Sequence, residues 1–124
     1  MISVLIVNEV LLGETPPVLY IRGFVNDYSR LLVAMLPFLK EKDYVLDSTK
    51  LNFFDKNGLM LRINRMMKSN VVFDSVKQSL EFHLDFDGII DIFVSLAGMA
   101  VEPCHDYWEY QWNDLNIPII VESI

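Results

Sequence analysis

Apolar and polar side chains alternate most regularly over residues 80–87, where Leu80, Phe82, Leu84 and Phe86 interleave with Glu81, His83, Asp85 and Asp87. A period of two, with one apolar and one polar face, predicts a half-exposed strand. Asp87-Gly88 then reads as a favoured hairpin turn. Ile90, Ile92, Val94 and Leu96 supply the apolar side of a return strand, with Ile89 and Phe93 on its other side.

The rhythm is helical upstream, over residues 27–39. Tyr28, Leu31, Leu32, Met35 and Phe38 or Leu39 recur as one buried stripe, which Val33 and Leu36 widen. Asn26 suits the N-cap, Asp27 sits where the helix dipole favours an anion, and Pro37 kinks the helix or ends it near Leu36. Residues 2–12 are dominated by Val, Ile and Leu and predict a strand interrupted at Asn8 and Glu9. Pro16 and Pro17 break the chain before a second short strand over residues 18–24, and the two strands form a hairpin.

Residues 51–54 and 59–64 flank Asp55-Lys56-Asn57-Gly58, which predicts another hairpin with Gly58 at positive φ. Residues 71–78 read equally as strand or short helix. In the tail, residues 102–104 suggest a turn and residues 105–112 an extended segment that Asn113 and Asp114 terminate. Pro118 marks a strand start or an edge, and residues 119–121 close the sheet. No repeat, low-complexity tract or linker is evident. The expected fold is α+β: a single small domain over residues 1–124, a largely antiparallel sheet packed by one main helix near residues 27–39.

At 14.4 kDa the chain should expose roughly 7,000 Å² when folded, against about 21,000 Å² when extended. That suffices for a core without staples. One cysteine excludes an intrachain disulfide framework and a thiolate zinc cluster. The longest apolar run, residues 31–39, is about half a membrane span, so no membrane partner is expected. Residues 1–7 lack the basic flank of a secretory signal, which makes the cytoplasm the expected compartment.

Charge sharpens the picture. The net value of -7 argues against a nucleic-acid backbone partner. Residues 1–68 hold nine basic and seven acidic side chains, whereas residues 69–124 hold only Lys77 against ten acids. The field of the second part would steer a basic partner, although the same carboxylates also serve to solubilise a sheet face.

Candidate chemistry follows from these two patterns. In a strand, Glu81, His83 and Asp85 share one face about 6.5–7 Å apart, where carboxylates flanking an imidazole can hold a divalent metal or position a base. No third clear ligand accompanies them, and the alternation is what any exposed strand requires. Cys104 and His105 lack metal-site spacing, and adjacency alone does not make a nucleophile pair. Phosphate loops, His-Glu-x-x-His pairs, nucleophile elbows and calcium loops are absent from the sequence, so no cofactor, metal ligand or catalytic residue is assigned.

The run Tyr107-Trp108-Glu109-Tyr110-Gln111-Trp112 contains both tryptophans. Such aromatics either anchor a recognition surface rimmed by carboxylates or fill the core. The partner-binding candidates are Glu81, Asp85, Asp106, Trp108, Glu109, Trp112 and Asp114. The expected function is a small acidic binding module, of the kind that inhibits or gives immunity to a basic enzyme such as a nuclease toxin. The alternatives are a small metal-dependent hydrolase and a homo-oligomeric structural protein.

Overall fold

The computed structural model describes residues 1–113 and 116–124. Two strands, β1 (Ser3–Val7) and β2 (Val18–Gly23), form the expected antiparallel hairpin. Asn8 ends the first strand rather than bulging it. Helix α1 (Val25–Met35) follows, and Pro37 converts its end into a 3₁₀ turn over Leu36–Leu39. Its N-cap is Phe24, not Asn26; the Asp27 carboxylate accepts the Phe24 N–H at 3.1 Å.

A second hairpin joins β3 (Val45–Asp47) to β4 (Met60–Arg65). Residues 51–54 therefore do not pair with residues 59–64. Gly58 is not at positive φ either. It serves close approach instead, since a Cβ there would lie 2.8 Å from the Val4 carbonyl oxygen. Residues 71–78 resolve into β5 (Asn70–Asp74) and a turn, and the clean alternation ends as β6 (Ser79–Leu84).

The return strand after Asp87-Gly88 is replaced by a helix, α2 (Phe86–Met99). Ile89, Ile92, Leu96 and Met99 are buried at helical spacing, and Asp85 caps the helix by accepting the Gly88 N–H at 2.7 Å. So dense an apolar run satisfies both periods, and the cap decides between them. The chain closes with β7 (Cys104–Trp108) and β8 (Ile119–Ser123), an antiparallel pair.

The result is α+β, with two α-helices and two four-stranded sheets among the described residues, ordered β1-β2-β8-β7 and β3-β4-β6-β5. The sheets are mixed: outer pairs are antiparallel and the central pairs, β2 with β8 and β4 with β6, are parallel. Both sheets and both helices contribute to one core, and the accessible surface is 7105 Å².

The connectivity hides a repeat. Each half runs strand, strand, helix, strand, strand, and replacing β1–β4 by β5–β8 leaves every pairing unchanged. Each sheet takes one hairpin from each half. A shift of 61 residues maps buried Leu19, Ile21, Tyr28, Leu31, Met35 and Phe38 onto buried Leu80, Phe82, Ile89, Ile92, Leu96 and Met99. Phe54 and Trp112 play comparable parts two residues out of register, each making a lone parallel bridge near the start of its half, Phe54 to Ile2 and Trp112 to Val71.

Candidate functional site

The sequence candidates divide among different places. Glu81 lies on the outer face of β6, where its Oε1 accepts from Asn64 Nδ2 at 2.6 Å and contacts His83 Nε2 at 3.1 Å. Phe82 points the other way, edge-on to Trp108 inside the core, so Glu81 is separated from the aromatic segment by the sheet. Asp85 has left the strand to cap α2, which removes the expected three-residue face of Glu81, His83 and Asp85.

Trp108 and Trp112 are core residues, 7% and 8% exposed. The Trp108 indole N–H donates to Ser95 Oγ at 2.8 Å, and the Ser95 hydroxyl donates to Asp106 Oδ2 at 2.7 Å. This chain of hydrogen bonds ties β7 to α2 and fixes the Asp106 carboxylate. Glu109 is exposed just beyond β7. Asp114 lies outside the described residues.

Asp106, Trp108 and Glu109 therefore come together, joined by residues the sequence reading did not single out. On the α2 side of residues 107–110, Asp91, Ser95 and Asp106 line a concavity of about 330 Å³. On the other side, Glu14 and residues 116–119 line a larger one of about 770 Å³. Tyr107 and Tyr110 belong to both. Neither concavity is lined by a lysine or arginine among the described residues, and Lys77 is the last cation in the chain.

Tyr110 reports the local field. Its hydroxyl donates to the Gly88 carbonyl at 3.3 Å. Burial pushes its pKa well above the ordinary phenol value, and the carboxylates of Asp91, Asp85 and Asp106 push it further. Three carboxylates thus act on one partly buried phenol. Asp91 and Tyr110 become visible as a pair only when residues 86–99 are read as a helix, because that places Asp91 four residues before Ser95 on the side facing β7.

Among the described residues, no three His, Cys, Asp or Glu side chains converge closely enough to hold a metal ion. Cys104 and His105 are neighbours in a strand and so face opposite ways. The Cys104 sulfur sits 3.7 Å from the Gly98 carbonyl oxygen, whereas His105 meets Tyr107 edge-to-face at 5.6 Å. Among the described residues, no helix is long and apolar enough to cross a membrane. No family model, curated protein or solved structure matches this chain.

Proposed function

We propose that the chain is a small acidic protein-binding module that engages a basic protein, in the manner of an inhibitor or immunity protein acting on a cationic enzyme such as a nuclease toxin. The observation that carries this reading is the pair of cation-free concavities flanking residues 107–110, with Glu14, Asp91, Asp106 and Glu109 around them. Carboxylates grouped this way raise the encounter rate with a cationic surface and penalise acidic competitors. The buried tryptophans hold the segment rigid, leaving Tyr107 and Tyr110 as the aromatic contacts. Tyrosine suits such a surface because it offers large area at low entropic cost. Cytoplasmic residence is part of the same proposal.

The test is a titration of small cationic nucleases at low and moderate salt, with catalytic activity and binding read together. Stoichiometric inhibition that weakens with salt, and weakens further in the double variant Asp91→Asn/Glu109→Gln, is the expected result. Unchanged nuclease activity together with no saturable binding at micromolar protein overturns the reading.

A further inference from the structure

Each four-stranded sheet ends in two edge strands, and three of the four edges are covered or very short. The chain around residues 53–59 closes the edge of β1: Ile2 N–H donates to Phe53 O at 2.7 Å, Asp55 N–H to Ile2 O at 2.8 Å, and Leu59 N–H to Val4 O at 2.8 Å. The chain around residues 111–113 closes β5, where Val71 N–H donates to Gln111 O at 2.8 Å and Asn113 N–H to Val71 O at 3.1 Å. Strand β3 is only three residues long. Strand β7 has five residues, terminates its sheet, and makes no backbone hydrogen bond to any element but β8 among the described residues.

An open edge is a template for another strand. We propose that β7 and the two residues after it accept an extended basic segment of a partner protein as an added strand. This rests on the acidic-module reading and gives it a binding mode. Side chains of an added strand alternate between the two sides of the sheet. One set therefore meets the concavity of Asp91 and Asp106, and the other meets that of Glu14. Glu109 borders both, so consecutive lysines or arginines fit, rather than basic residues at every second position.

Charge also selects against self-pairing. A second copy of β7 laid parallel and in register against the first would bring Asp106 and Glu109 beside their own duplicates, and like charges across strands are destabilising. Asp106 adds a guard of its own, since its Oδ1 accepts the Tyr107 N–H at 2.9 Å. A cation on the incoming strand competes for Oδ1 and frees the donor, while Ser95 keeps hold of Oδ2. The edge is thus closed to neutral strands and open to basic ones.

The experiment uses the isotope-labelled full chain and an amidated peptide of sequence Thr-Val-Lys-Arg-Lys-Arg-Val-Thr. Two further peptides carry N-methyl groups on alternate residues, in each register, so that charge is kept while the donors of one edge are lost. The expected result is saturable binding with amide shifts concentrated in residues 104–110. Affinity should fall about tenfold or more between low and moderate salt. One N-methylated register should lose about tenfold or more, because its ladder hydrogen bonds are gone. Equal affinity for all three peptides, or shifts centred elsewhere, overturns the added strand and leaves the acidic reading standing. Self-association with shifts at β7 and no peptide binding overturns it in favour of a second copy. No binding of the peptide or of any cationic nuclease overturns both readings.

Discussion

Replacing Asp85 by alanine removes the side-chain oxygen that accepts the Gly88 N–H at 2.7 Å and leaves the start of α2 without its cap. Loss of an N-cap of this type costs about 0.5–2 kcal/mol. The carboxylate also loses its favourable place at the positive end of the helix dipole, about 0.3–1 kcal/mol more. A combined loss of about 1.5 kcal/mol is expected. For a 124-residue chain the unfolding entropy is about 0.26 kcal/mol/K near 60 °C, so the melting temperature should drop by about 6 °C. Asp85→Asn keeps an acceptor while losing the charge, and should recover more than half of the deficit. Circular dichroism melts give the temperature, and urea titrations at constant slope give the free energy. If Asp85→Ala melts within about 1 °C of the parent, the cap does not hold α2 and the structural role given to Asp85 is wrong.

Two further predictions concern the core and the alkaline limb. Leu31→Ala and Ile92→Ala occupy equivalent positions in the two halves and are both buried, so each should cost about 2–5 kcal/mol. Urea denaturation should find the two losses within about 1.5 kcal/mol of one another; a wider gap contradicts the equivalence of α1 and α2. Tyr20 is pushed up to about 12 by burial and then by its hydrogen bond to Glu122, and Tyr28 and Tyr110 are pushed up as well. The folded state therefore holds these phenol protons more tightly than the unfolded chain, whose tyrosines titrate near about 10. The stabilisation is fully present below that pH and is lost as pH rises through about 12 for Tyr20. Tyr20→Phe should make the decline of the urea midpoint between pH 9 and 11.5 shallower, and an equally steep decline refutes the assignment.

What could be read beforehand depended on how many physical signals agreed. Leu80, Phe82 and Leu84 carry a single period with no competitor, and β6 appears where it was expected. Helix α1 has both a stripe and a proline stop, and its end was legible to within a residue or so. Residues 86–99 carried two contradictory signals. Asp87-Gly88 suits a hairpin, but Asp85 three residues before Gly88 is equally a helix cap, and every second residue from Ile90 to Leu96 is apolar in either case.

The repeat was hidden for a different reason. The equivalent stretches 18–38 and 79–99 share only Leu19/Leu80 and Val33/Val94 as identities. The turn between the first two strands of each half differs by six residues, from 8–17 to 75–78, so no single shift aligns the halves. Burial, not identity, is what the halves retain. For the candidate site, Asp106 and Glu109 were legible from charge alone. The inward turn of Trp108 depends on Ser95 and Phe82, which lie in other elements, and Trp112 is held by its bridge to Val71.

The exchange of hairpins between the halves sets an order on synthesis. Strand β2 finds its parallel neighbour only when β8 exists, with Leu19 beside Ile119, one hundred residues later. Closing so long a loop carries an entropic cost that no nearby contact offsets in advance. The first hairpin and α1 leave the ribosome well before β8, with one flank of β2 unpaired and an apolar stripe uncovered. They must wait for β8. A region that looks like two small units in tandem is therefore expected to fold only once, after β8 has been made, and the half that carries β1–β4 is the part that needs protection in the interval.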